Sequence, residues 1–108
     1  AFCRIAHIEL LDAAHIIPDG EVGGEPLVEN GMSLCKIHHA AFDQNFIGVS
    51  PDYGIKIRRD LLEETDGPML KHGIQELHQG KLYLPSAKKN WPDRDRLAVR
   101  FEQFQKVV

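Results

Sequence analysis

Two cysteines and six histidines carry most of the chemistry that this 108-residue sequence can offer. Four of these soft donors fall in two close pairs, Cys3-x3-His7 and Cys35-x2-His38. Each pair brings two ligands within about one turn of backbone, the way structural zinc sites gather four. Thiolate and imidazole favour Zn²⁺ over hard cations, which prefer oxygen. The candidate structural zinc site is therefore Cys3, Cys35 and His38 with His7, whose place a donor preceding Ala1 could take. Two cysteines can also close a disulfide, but no secretory leader opens the chain and the histidine-rich setting favours metal.

A second pair has different chemistry. His39 and Asp43 stand four apart, so on a helix they share one face, about 5–6 Å between Cβ atoms. That spacing suits a single divalent ion. His38 lies roughly 100° around the same helix, so the two adjacent histidines can serve two sites.

These residues need elements to carry them. Residues 10–18, Leu-Leu-Asp-Ala-Ala-His-Ile-Ile-Pro, read as a short strand around His15 that Pro18 ends. A loop rich in Gly and acidic residues runs from Asp19 to Asn30. Residues 31–35 form a second extended piece, and a helix begins near Lys36 and reaches Asp43.

The order strand-His, loop-Asn, helix with a ligand pair resembles the HNH endonucleases. The resemblance rests on His15 in His-Ile-Ile-Pro, Asn30 in Asn-Gly-Met-Ser-Leu-Cys, and His39 in Cys-Lys-Ile-His-His-Ala-Ala-Phe-Asp. It runs from about Cys3 to about Val49 and looks closest to the restriction-type branch with Ala-Ala-His-Ile-Ile-Pro and His-x3-Asp. It implies an α+β fold with a ββα-metal, treble-clef-like core stapled by zinc, with further short strands and C-terminal helices. It implies that His15 is the general base and that Asn30 pins the loop and helps orient that base. It also makes His39 and Asp43 ligands of a catalytic Mg²⁺, Mn²⁺ or Ni²⁺. Many members carry Asp or His just before the base as a further ligand; here that residue is Ala14. Asp12, on the same strand face, is the candidate substitute. The reaction implied is hydrolysis of DNA, expected to be double-stranded, with a homodimer needed for a double-strand break.

The remainder reads as an extension, about 50–108, of one nuclease domain spanning 1–108, itself expected to be a piece of a longer chain. Residues 53–58 alternate as a half-exposed strand whose Lys56, with Arg58 and Arg59, is a candidate phosphate contact. Asp60 is placed to cap the turn after it. A helix is expected over Met69–His78 with a core stripe of Leu70, Ile74 and Leu77, leaving over His72 and His78, the first of which is expected to be solvated rather than to approach DNA or the active site. A strand is expected over Leu82–Leu84, then a basic linker with Lys88, Lys89 and Trp91. A last helix over 94–106, capped by Asp93, would bury Leu97, Phe101 and Phe104 and offer Arg94, Arg96, Arg100 and Lys106 to a DNA backbone.

Composition bounds these readings. At 43% hydrophobic and 27% charged, the chain is ordinary globular protein, which excludes a disordered tail or a fibrous repeat. So small a core gains from a metal staple. The net charge of −3 hides an asymmetry: residues 1–80 carry 6 basic against 13 acidic groups, a balance of −7, and residues 81–108 carry 7 against 3, a balance of +4. No apolar run approaches the ~20 residues of a membrane span, so a cytoplasmic protein is expected. The rival to the nuclease is a non-catalytic zinc-stabilised module that binds nucleic acid or a protein.

Overall fold

Alternation of small and apolar residues makes two strands here, Leu11–His15 (β1) and Gly31–Cys35 (β2), which pair antiparallel with Leu11 opposite Cys35 and His15 opposite Gly31. Helix α1, Lys36–Asp43, follows β2 without a break. The sulfur of Cys35 caps it, accepting from the His38 N–H at 3.5 Å. Ala14, Met32 and Leu34 turn toward the core, where Phe42 of α1 meets them. The computed structural model describes residues 1–18, 20–65 and 67–107, so the loop expected from Asp19 begins outside the described residues at Asp19 itself.

α1 ends in a Schellman arrangement. Phe46 N–H bonds Ala41 O at 2.9 Å and Asn45 N–H bonds Phe42 O at 3.1 Å. The chain turns through Asn45 at φ 60, a left-handed conformation that asparagine tolerates better than most residues. Beyond it a second antiparallel pair forms from Ile47–Val49 (β3) and Ile55–Ile57 (β4), with Ile47 opposite Ile57. Ile55 and Ile57 face inward and Lys56 outward, as the alternation predicted.

Two short helices, Arg59–Glu63 (α2) and Pro68–Gly73 (α3), lead toward the last helix, Arg94–Lys106 (α4). The helix expected over 69–78 stops at Gly73, and a 3-10 turn over Gln75–Leu77 takes its place. Asp60 lies in the first turn of α2, where its carboxylate accepts the Leu61 N–H at 3.0 Å. His72 is exposed beside Glu76, as expected, whereas His78 is not simply solvated: its Nδ1 accepts the Ile57 N–H at 3.0 Å. The strand expected at 82–84 does not form. Lys81 makes one isolated bridge with Gly54, and Tyr83 N–H goes to Ala1 O, so no ladder is available to extend.

α4 matches its expected bounds and its Asp93 cap, whose carboxylate accepts the Arg96 N–H at 3.1 Å. Its buried face is Leu97, Arg100 and Phe104, with Phe101 only partly covered. The helix presses directly on β3: a Cβ on Gly48 would lie 2.5 Å from the Phe104 ring. Leu97 joins the same core as Phe2, Ile16, Leu34 and Ile55, so both halves of the chain share one interior.

Candidate metal centres and cleft

His38 and His39 leave α1 toward different surroundings. His38 is buried, and its Nε2 donates to Gly73 O at 2.7 Å. That bond sets the tautomer, so the lone pair of Nδ1 faces Cys35 Sγ at 3.3 Å. Cys3 completes the group: the ligand atoms of Cys3, Cys35 and His38 all lie within 4.8 Å of one another. Both cysteines are free thiols. Two sulfurs and one imidazole nitrogen, with the other ring nitrogen held by a carbonyl, form a donor set that fits a soft divalent metal. His7 is exposed and does not join this group among the described residues.

His39 is half-buried and has a carboxylate on each ring nitrogen. Its Nδ1 is 2.9 Å from Asp12 Oδ2, and its Nε2 is 3.1 Å from Asp43 Oδ2. Adjacent donors on an octahedral ion with ~2.1 Å bonds stand about 3 Å apart. Nε2 and the Asp43 carboxylate thus have the separation of neighbouring ligands on a hard cation. Asp12 lies on the opposite edge of the imidazole, so it does not share with Asp43 an ion held by Nε2. Its geometry is that of a carboxylate that orients a ligating histidine. Lys36 Nζ holds its other oxygen at 2.7 Å. The hydrogen bond from His39, followed by that from Lys36, keeps the Asp12 carboxyl below its ordinary pKa.

His15, His39 and Asp43 line one open cleft of about 410 Å³, together with Ala13, Pro18, Asn45, Arg100 and Gln103. His15 is exposed, and no side-chain partner occupies its imidazole among the described residues. A larger groove of about 930 Å³ runs along the ribbon but includes neither His39 nor Asp43, so the smaller cleft holds the candidate chemistry.

Asn30 lies outside that cleft. It is 1% exposed. Its Oδ1 accepts Ile17 N–H at 3.0 Å, while Nδ2 donates to Ile17 O at 3.2 Å and Glu25 O at 2.9 Å. It therefore ties down the loop that follows His15.

The candidate phosphate contacts divide. Lys56 and Lys89 are exposed, and Lys88 stands 5.7 Å above the Trp91 ring. Arg58 is engaged by Asp60 at 2.7 Å and lies 3.8 Å over the Phe46 ring; Arg59 pairs with Glu63 at 3.2 Å. Two arginines of α4 expected to face DNA turn inward. Arg96 bonds Gly23 O at 2.8 Å and Glu25 at 3.0 Å, and Arg100 is buried at the wall of the cleft. Sequence reasoning missed Arg100 because a charged residue was assigned to the wet side of α4. Its spacing of i, i+3, i+7 with Leu97 and Phe104 was the available signal.

Among the described residues no helix is long and apolar enough to cross a membrane. No curated protein and no solved structure matches the chain. The family model described as HNH endonuclease matches residues 1–50. That segment, which holds β1, β2, α1 and β3, is similar to the HNH endonucleases, and the similarity suggests a nuclease-type function.

Proposed function

We propose that the chain is a metal-dependent DNA endonuclease of restriction type, acting as a single nuclease domain over residues 1–108. The observation that carries this reading is the cleft shared by His15, His39 and Asp43, with a ligand-like His39–Asp43 separation of 3.1 Å. His39 and Asp43 would hold one Mg²⁺, Mn²⁺ or Ni²⁺, which when bound supplies Lewis-acid stabilisation of the charge that develops on the scissile phosphate. Asp12 keeps the His39 ring oriented. The unengaged His15 imidazole takes the proton of the attacking water, histidine being the side chain most often used as a general base. Attack at phosphorus breaks the P–O3′ bond and leaves 5′-phosphate and 3′-hydroxyl ends. Asn30 acts on the backbone beside His15.

Cys3, Cys35 and His38 would hold a structural Zn²⁺, with a fourth ligand from His7 after rearrangement, from water or from elsewhere. A reducing, intracellular setting suits a site that needs two thiols. Lys56, Lys88 and Lys89, with Arg94 and Lys106 of α4, are exposed cations that would meet the DNA backbone, Arg58 and Arg59 being already paired. One cleft cuts one strand, so a double-strand break requires a homodimer or two events.

The test is nicking of supercoiled plasmid with Mg²⁺, Mn²⁺ or Ni²⁺ by the chain and by His15→Ala. Loss of the base is expected to lower the rate by ~100-fold or more. Equal nicking by the variant, or none by either protein, removes the catalytic reading and leaves a non-catalytic zinc-stabilised binding module.

A further inference from the structure

We propose that Arg100 is a positioning residue of the cleft: from α4, beyond the segment similar to the HNH family, its guanidinium joins the backbone beside His15 to the end of α1 beside Asp43, and so sets the separation of base and cation-binding pair. The proposal rests on the nuclease reading above and adds to it a residue that the family match does not reach.

The geometry is that of a bridge. Nη1 donates to Ile16 O at 3.0 Å and Nη2 to Phe42 O at 2.8 Å, with Asp43 O at 3.4 Å and the Nε contact to Asn45 Oδ1 at 3.4 Å. The guanidinium also lies 4.4 Å over the Phe42 ring. Ile16 follows His15 directly, and Phe42 and Asp43 close α1. Arg100 is only 6% exposed, and its guanidinium persists in such a place because most of its five N–H groups meet acceptors. Burial lowers its affinity for its proton, and the negative charges of Asp43 and Glu21 oppose that loss.

The site needs such a bridge. The end of α1 presents carbonyls that the Schellman turn leaves with spare lone pairs, and a cation there complements the helix dipole. The chain after β1 is already held on one side by Asn30. Arg100 holds it on the other, and the two clamps fix the residues next to His15 without contacting its ring. A planar fork reaches two carbonyls at once, whereas a lysine ammonium is a single point charge that cannot reproduce both contacts. Arg100 also lines the cleft with His15, His39 and Asp43.

The experiment compares the full chain with Arg100→Lys, Arg100→Ala and Asn45→Gly, the last removing one acceptor of Arg100 while keeping a residue at ease with positive φ. The readouts are plasmid-nicking kcat and KM, and Mn²⁺-induced broadening of the His15 and His39 ring resonances by NMR. In Arg100→Lys, kcat is expected to fall about 100-fold with KM nearly unchanged, as a misplaced base would give. Mn²⁺ should still broaden His39 but broaden His15 to a different degree from the wild type. Millimolar methylguanidinium should restore part of kcat to Arg100→Ala, and methylammonium should not. Wild-type kcat in Arg100→Lys with both rings broadened as in the wild type overturns the proposal. If Arg100→Lys does not fold, Asn45→Gly decides: a smaller fall in kcat with a changed His15 broadening supports the proposal, and no change in either overturns it. If the wild type nicks nothing, the nuclease reading fails by itself. The broadening ratio of the two histidines then still decides whether Arg100 sets their separation.

Discussion

His38 and His39 are consecutive residues of one helix, and their surroundings could hardly differ more. His38 is buried between a thiol and a backbone carbonyl, beside a second thiol. His39 is half open to solvent between two carboxylates, in a cleft that also holds His15. One turn of α1 thus presents a soft, enclosed donor set on one side and a hard, accessible one on the other. The contrast separates two uses of metal. A closed sulfur-rich site leaves little room for substrate and favours a permanent structural ion, while an open oxygen-bearing site leaves coordination positions for water and phosphate. The helical offset of about 100° between neighbours lets one short helix present both donor sets.

The comparison can be broken most severely at the enclosed site. Cys35→Ser should reduce bound zinc from about one atom per chain to almost none and lower stability by several kcal/mol, because structural zinc binding is coupled to folding. Elemental analysis and calorimetry read this; full stability without bound metal would show that the trio is merely two thiols and a histidine. The adjacent substitutions sharpen the contrast. His38→Ala should follow Cys35→Ser, whereas His39→Ala should retain zinc and its thermal midpoint yet lose nicking by at least ~100-fold. Identical behaviour of the two variants would erase the distinction.

Asp12→Asn probes the far side of the open site. As an orienting partner, Asp12 should affect divalent affinity by ~10–100-fold, with nicking recovered at high metal concentration. An unrecoverable loss would make it a ligand after all. Gly48→Ala asks whether the open site depends on α4 more than the closed one does. Since the new methyl meets the Phe104 ring, the variant should lose ~1–3 kcal/mol in urea unfolding, and its nicking should fall while zinc content holds.

The smallest effect should lie away from both sites. The Ser50 hydroxyl, then the Gly54 N–H and Lys81, lowers the pKa of Asp52 from 3.8 to about 2. A depressed carboxyl contributes stability that is present above its unfolded pKa and lost as pH falls through the folded one. The urea midpoint of the wild type should therefore exceed that of Asp52→Asn near neutral pH, and the gap should shrink as pH falls from about 4 to about 2. Both metal sites should be indifferent to the substitution at neutral pH.

Much of this arrangement was legible before any coordinates. The apolar and β-branched residues around His15 marked a strand, expected to run to Pro18 and ending instead at His15; the run from Cys35 to Asp43 marked α1, and Asp93 marked the start of α4. These are local rules, in which residues a few positions apart decide their own conformation. What went unread involved partners distant along the chain. The 69–78 helix ended at Gly73, whose carbonyl accepts from His38, 35 positions earlier. Leu82–Leu84 had strand character but no free ladder beside it.

Charge shows the division best. The basic C-terminal segment was read as facing DNA because a guanidinium is costly to bury. Arg96 and Arg100 turn inward because acceptors 71 and 84 positions away, Glu25 and Ile16, offset that cost. Asp12, likewise, was assigned to the metal site because it shares a strand face with Ala14, and it lies against His39. Only the packing of α1 on the ribbon decided which edge of the imidazole it would meet. The sequence by itself determined the donors, their chemical softness and the ribbon and helix that carry them, since ligand type and short-range periodicity are properties of neighbouring residues. The tertiary structure alone decided which donors converge, which cations are spent on carbonyls, and that a residue of the last helix lines the wall of the cleft. Those depend on contacts across the fold, which no local pattern encodes.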